Sequence, residues 1–189
     1  MNTALNEKNY SEAVVRVVHD EDPMSPREWD NLGTMKCWHR RYRLGDEPFG
    51  LWNGEDPQEF LRSLPKGSIV LPLYLYDHSG ITMSTSAFSC PWDSGQVGYI
   101  YVTPEKIRKE YSVKRISRQL RERVTQYLKN EVEIYDHYLT GNVWGFVVEN
   151  GPEGEHDSCF GFFGDDLAGM KEHVANELHD KLEAAWGAR

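Results

Sequence analysis

The sequence predicts an α+β fold: a single domain over residues 1–189, with a mainly antiparallel sheet on which one long helix and a C-terminal helix pack. Strand-like segments follow one another across short turns, as in antiparallel hairpins. Helical periodicity is strongest in two stretches, one after the third strand of the central region and one at the C-terminus. A regular strand–helix alternation, which would favour a parallel sheet, is absent. A chain of 189 residues with 39% hydrophobic content suits one such domain, and we expect residues 1–10 to be loosely ordered.

The predicted sheet is built mostly from the middle of the chain. Its strongest strand covers residues 68–77, where Pro72 lacks an amide hydrogen and therefore favours a sheet edge or a bulge. The turn at His78-Ser79-Gly80 leads into a second strand and predicts a hairpin. We expect one antiparallel sheet from residues 68–77, 81–88, 96–103, 142–149 and 158–163, and a further β-branched strand at 13–18.

Helix signals are clearest where a capping residue precedes proline. Asp56-Pro57 predicts a short helix to residue 64, and Thr103-Pro104 predicts another to residue 111. A long helix is expected to start at Ser112 and to cover about 113–139, because its apolar residues recur at helical spacing. Either Asp165 or Asp166 would cap the last helix.

Charge is unevenly distributed along the chain. The net charge is −9, yet residues 36–43 carry +4 and residues 106–129 carry +7, while residues 130–189 carry −10. These segments could pair within one fold, or they could form one basic and one acidic binding surface. In the second interpretation the stripe of Lys114, Arg118 and Arg121 within 106–129 could bind nucleic acid directly through its phosphates. The acidic C-terminal third, with Asp165 and Asp166, could imitate the charge of a nucleic acid and so bind a protein that normally binds DNA or RNA.

The segment from Trp29 to Asp46, hereafter the signature segment, has the most unusual composition. It combines two tryptophans, a tyrosine, a cysteine, a histidine and four basic residues in eighteen positions. Arg and Trp are favoured anchors of protein interfaces, so its exposed members are candidate partner contacts. Trp29, Trp38 and Tyr42 could equally be ordinary core residues. The candidate contacts are Trp29, Asp30, His39, Arg40 and Arg41.

A second candidate site lies at two similar turns. Asp77-His78-Ser79-Gly80 follows one strand, and Trp92-Asp93-Ser94-Gly95 precedes another. If both turns meet at one sheet edge, Asp77 and Asp93, with His78, could hold a divalent cation. The alternative is that each aspartate only bonds its own turn.

No catalytic or cofactor motif identifies a reaction. The sequence has no Walker loop, no Gly-x-Ser-x-Gly elbow and no His-Glu-x-x-His pair. We therefore expect no resident cofactor beyond that cation. Cys37, Cys90 and Cys159 are widely spaced and odd in number, so reduced thiols are expected. With no secretory signal and no run of about 18 apolar residues, we expect a cytoplasmic protein without a membrane partner.

The signature segment, Trp-Asp-Asn-Leu-Gly-Thr-Met-Lys-Cys-Trp-His-Arg-Arg-Tyr-Arg-Leu-Gly-Asp, resembles uncharacterised proteins of bacteriophages and related mobile elements. Residues 75–80, 91–98 and 157–164 resemble the same group. No activity is established for that group, so the resemblance assigns no residue role. It implies a phage or mobile-element context in a bacterial host cell, where small acidic proteins often inhibit defence systems such as CRISPR effectors and restriction enzymes.

Two functional hypotheses follow. In the first, the protein binds a host defence protein or nucleoprotein complex and inhibits it. In the second, it is a small metal-dependent hydrolase or nuclease with Asp77, His78 and Asp93 around a cation that lowers the pKa of bound water.

Overall fold

The predicted α+β class is confirmed. In residues 10–46 and 56–189, which the computed structural model describes, seven strands and five α-helices form two antiparallel sheets with their helices. The strands are β1 (Val14–His19), β2 (Thr34–Cys37), β3 (Ile69–Asp77), β4 (Ile81–Ser84), β5 (Ser94–Val102), β6 (Val143–Glu149) and β7 (Asp157–Phe163). The helices are α1 (Pro57–Ser63), α2 (Pro104–Glu110), α3 (Arg118–Thr140), α4 (Leu167–His173) and α5 (His179–Gly187). Asp56 and Thr103 cap α1 and α2 as predicted.

The expectation of one continuous sheet is wrong. β6 and β7 join β1 in a three-stranded sheet of order β1-β6-β7, and the other four strands form a sheet of order β2-β5-β3-β4. The chain accordingly forms two compact units, Ser25–Thr140 and the combination of Met1–Met24 with Gly141–Arg189. Each unit has its own apolar core. The pairing of β1 with β6 joins residues more than a hundred positions apart, which local patterns do not reveal.

In the unit Ser25–Thr140, the four-stranded sheet packs against α3. β3 lies between β5 and β4, so of the two predicted alternatives for Pro72, an edge strand or a bulge, the edge strand is not observed. β4 pairs with Tyr74–Asp77 alone, however, so at Pro72 the strand has one paired neighbour and a missing amide hydrogen is tolerated. The predicted bulge is present one step further on, between Leu73 and Tyr74.

The long helix begins later than predicted, at Arg118. The N–H groups of Tyr111 and Val113 bond back to the carbonyls of Ile107 and Arg108, which closes the end of α2. Ser117 then caps α3, because its hydroxyl oxygen accepts the N–H of Leu120. Lys114 therefore precedes the helix, and the predicted helical stripe of Lys114, Arg118 and Arg121 does not form. Gly141, with φ of +71°, follows the end of α3.

In the other unit, α4 and α5 pack against the three-stranded sheet. Asp166 caps α4 by accepting the N–H of Gly169. The predicted single C-terminal helix is divided, because the buried Val174 is extended and a 3-10 turn at Asn176–Leu178 precedes α5. In the part of the chain that the structure describes, no helix combines the length and apolar character needed to cross a membrane.

Candidate interaction surface

Much of the signature segment belongs to the core, on either side of residues 39–43. Leu32, Met35, Cys37, Trp38 and Leu44 are all buried. The segment is not helical: β2 occupies Thr34–Cys37, and the chain then loops out and returns to β2 at Gly45. Part of its unusual composition is therefore explained by packing rather than by partner contacts.

A buried ionic network holds this segment against α3. The Arg27 guanidinium is 4% exposed and binds the Glu131 carboxylate (Nη1–Oε2 3.0 Å), the Asp46 carboxylate (Nη2–Oδ2 2.8 Å) and the Gly33 carbonyl. Glu131 accepts the N–H groups of Leu32 and Gly33 at 2.9 and 3.0 Å. Burial lowers the pKa of Arg27, but the bonds to Asp46 and Glu131 outweigh burial and raise it overall.

The middle of the signature segment, residues 39–43, forms a loop anchored by His39. Nδ1 of His39 accepts the N–H groups of Arg41 and Tyr42 at 3.3 and 3.2 Å. The imidazole stacks on the Tyr42 ring with centroids 5.0 Å apart. Burial lowers the pKa of His39, with Asp77 opposing the shift and Arg41 adding to it. The neutral ring with its proton on Nε2 is the form that fits both bonds.

This loop reaches the end of β3. Arg41 Nη1 lies 3.1 Å from Asp77 Oδ2, and the Tyr42 hydroxyl donates to Asp77 Oδ1 at 3.0 Å. The Arg41 guanidinium also lies over the Tyr42 ring. Arg41 remains 70% exposed in its side chain. Asp77 therefore connects a predicted partner-contact residue with the predicted cation site.

The two turns of the predicted cation site do meet. The Asp77 N–H donates to the Asp93 carbonyl at 2.8 Å, where β3 ends and β5 begins. His78 Nδ1 lies 3.4 Å from Asp93 Oδ2, and the Cys90 thiol donates to the same oxygen at 3.6 Å. Each carboxylate thus has side-chain partners of its own. Among residues 10–46 and 56–189, no group of three His, Cys, Asp or Glu side chains is arranged to hold a metal ion.

Trp92 stands beside this cluster with 90% of its surface exposed. It is the most exposed large hydrophobic residue of the described chain. It directly precedes Asp93, so it lies next to the pairs described above. We refer to Arg41, Asp77, His78, Trp92 and Asp93 together as the Trp92 surface.

The other predicted contacts lie elsewhere. Trp29 is 43% exposed and Asp30 is exposed, both next to the 3-10 turn at Pro26–Glu28. Arg40 is exposed in the loop that carries Arg41. Arg118 pairs with Glu122 on α3, and Arg121 donates to the Gly67 carbonyl at 2.7 Å.

The acidic pair lies in the unit that contains the three-stranded sheet. Asp165 pairs with Arg189 at the C-terminus, while Asp166 is engaged as the cap of α4. Both aspartates thus have defined structural partners, and Asp165 keeps an 84% exposed side chain.

Sequence reasoning missed Trp92, Arg27 and Glu131. Trp92 follows a proline in a turn and is not part of any periodic apolar pattern. Its position in the sequence therefore gives only a weak indication that its side chain is exposed. Glu131 lies within the inward stripe of α3 between Leu128 and Tyr135, and an acid at a core position signals a buried cation. No comparable pattern marks Arg27.

Comparison with known protein families, with curated proteins and with solved structures finds no match to this chain.

Proposed function

We propose that this protein acts by binding another protein through the Trp92 surface, as an inhibitor of a bacterial defence system. The observation that carries the proposal is the 90% exposure of Trp92. A tryptophan leaves a large apolar area in water, and burying it in a partner stabilises the complex by about 25 cal/mol per Å². Exposed aromatic side chains beside arginine are the usual energetic centres of protein interfaces.

The groups around Trp92 favour a protein over a nucleic acid as the partner. Asp77 and Asp93 would repel phosphates at this position, whereas Arg41 and His78 offer donors to carboxylates and carbonyls. A mixed polar rim around an aromatic centre is typical of protein interfaces. The bonds of His39 and Tyr42 hold the loop that carries Arg41, so little ordering entropy is lost on binding.

The defence-system part of the proposal rests on the signature segment. Its resemblance to proteins of bacteriophages and mobile elements supports a role in the bacterial cytoplasm. Inhibition of a CRISPR effector or restriction nuclease by binding requires no catalytic group, in keeping with the absence of a recognised catalytic motif in the sequence.

The test combines phage challenge with direct binding. Wild-type protein and a Trp92→Ala variant are expressed in bacteria that carry one defined defence system at a time, and phage plating efficiency is measured. Wild type is expected to restore plating in at least one system, and Trp92→Ala to lose that effect. With the purified effector, Trp92→Ala should weaken binding by about 30-fold or more. Met24→Ala is the matched control, because Met24 is 65% exposed and lies in the other unit.

The outcomes separate the two parts of the proposal. No restored plating in any system contradicts the defence role. Restored plating with an equally active Trp92→Ala variant contradicts the assigned surface. Thermal melting is a check on folding, since an exposed side chain contributes little stability and the variant should melt like wild type.

A metal-dependent hydrolase is the second candidate, favoured by the backbone hydrogen bond from the Asp77 N–H to the Asp93 carbonyl, which brings the two turns together. A cation between their carboxylates would lower the pKa of bound water and create a nucleophile. Binding would raise the melting temperature, because it stabilises the folded state alone. Melting with Mg²⁺, Ca²⁺, Mn²⁺ or Zn²⁺ tests this. An increase that Asp93→Asn abolishes would favour the hydrolase, and we expect no such increase.

A further inference from the structure

We infer that the surface formed by α2, the turn after it and the first half of α3 binds the phosphate backbone of a nucleic acid. This basic surface consists of Arg108, Lys109, Lys114, Arg115, Arg118, Arg123 and Lys129, all of which are exposed. It is separate in its residues from the Trp92 surface, and the inference does not depend on the proposed function.

Within the described residues, six of these seven side chains form no hydrogen bond or ion pair, and Arg118 is the exception. The two other cations of residues 106–129 have structural roles: Lys106 and Arg121 donate to the carbonyls of Asn31 and Gly67. Arg118 forms its ion pair with Glu122, and both side chains remain largely exposed. An exposed i,i+4 pair of this kind neutralises little charge.

The position of these cations is electrostatically unfavourable in the free protein. The first turn of α3 contains no acidic residue, and it begins with Arg118 just after Lys114 and Arg115. The N-terminal end of a helix carries partial positive charge and normally attracts acidic side chains. A bound polyanion would remove this repulsion. Charges that oppose local stability are most readily explained by a partner of opposite sign.

The composition of the surface points to nucleic acid rather than to an acidic protein. The apolar residues of this segment, such as Ile107, Leu120 and Val124, are buried in the core. Tyr127 is its one exposed large hydrophobic residue within the described chain. Protein interfaces need an apolar centre with few charges, whereas phosphate backbones are held by dispersed cations, with arginine offering a forked pair of donors.

The dimensions also suit a phosphate backbone. From Arg118 to Lys129, α3 advances by about 17 Å at 1.5 Å per residue. That length corresponds to about five base pairs of duplex. Because the contacts are made by charge, binding should be insensitive to base sequence and should weaken steeply with salt.

The experiment measures fluorescence anisotropy of labelled duplex DNA of about 20 base pairs, and of a single strand of equal length, between about 25 and 200 mM salt. The variant is Arg115→Gln with Arg118→Gln. The control is Arg40→Gln with Arg43→Gln, which removes two exposed positive charges from the loop 39–43 of the same unit. Melting of both variants checks that they fold.

For the wild-type protein, a plot of the logarithm of the binding constant against the logarithm of the salt concentration should have a slope of about −3 or steeper. The Arg115/Arg118 variant should lose about tenfold in affinity at low salt and should reduce that slope by nearly two, since each phosphate contact contributes about 0.9. The control should keep both quantities. No binding at low salt, equal loss in the control, or equally tight binding of polyglutamate would overturn the inference, the last in favour of an acidic protein partner.

Discussion

Arg27 and Glu131 are 104 positions apart in the chain and form a buried ion pair of 3.0 Å, and both also bond the signature segment, which they hold against α3. Both side chains are less than a tenth exposed. Glu131 also receives two backbone N–H groups from the turn before β2. The sharp change of direction at Leu32-Gly33 is therefore fixed by a charge on a helix, not by a turn motif of its own.

Removing the charge of Glu131 should strongly destabilise the fold. Glu131→Gln leaves Arg27 with a weaker partner in a buried position, and breaking buried pairs typically costs about 3–5 kcal/mol. We expect a loss near the lower end, because Asp46 still binds Arg27. The measurement is the free energy of unfolding in urea. Glu133→Gln, on the exposed side of the same helix, should change it by less than about 0.5 kcal/mol. Equal effects of the two substitutions would contradict the network.

Gly98 should not tolerate a side chain. A Cβ there would lie 2.2 Å from the Lys36 carbonyl oxygen and 2.9 Å from the Cys37 Cα, and both are backbone atoms of the paired strand. Gly98→Ala should therefore separate β2 from β5 and cost more than about 3 kcal/mol of unfolding free energy. Gly95, also in β5, is the matched control, because a Cβ added there would meet no atom within 4 Å. A stable Gly98→Ala variant would contradict the close approach.

Local features of the fold could be predicted because they depend on neighbouring residues. The caps at Asp56 and Thr103 and the hairpin β3–β4 are all present. The division into two sheets could not be predicted, because β1 and β6 pair although the whole unit Ser25–Thr140 separates them in the sequence. The start of α3 was also missed, because the backbone bonds of Tyr111 and Val113 compete with helix formation there.

The candidate site could be predicted in part for the same reason. Asp77 ends β3 and Asp93 directly precedes β5, and these two strands pair, so the proximity of the two residues follows from turn positions in the sequence. The approach of Arg41 to Asp77 depends on the path of the loop anchored by His39, which no periodicity encodes. Exposure of Trp92 likewise depends on what surrounds the turn in space. Packing, rather than pattern, decides these contacts.

Cys37 should be the least reactive of the three thiols. Burial, with a contribution from Asp46, raises the pKa of Cys37 to about 12, so almost no thiolate forms at neutral pH. Cys90 and Cys159 are only partly buried. Labelling of the native protein with a thiol reagent, followed by peptide mapping, should modify these two before Cys37. In denaturant all three should react at similar rates, and rapid native labelling of Cys37 would show that its burial is wrongly assigned.

His39 should make stability depend on pH. Its folded-state pKa is lowered by burial, so the unfolded chain takes up a proton more readily than the folded one. The free energy of unfolding therefore keeps its full value above the unfolded-state pKa of histidine, about 6.5, and decreases as the pH falls below that pKa. Protonation of Nδ1 would also break the bonds from the N–H groups of Arg41 and Tyr42.

The measurement is the unfolding free energy of wild type and His39→Asn at pH 7.5 and pH 5.5. Asparagine can accept the same N–H groups without titrating, so the variant should lose less stability on acidification. If His39→Asn and wild type lose the same stability over this interval, the acid sensitivity arises elsewhere in the protein.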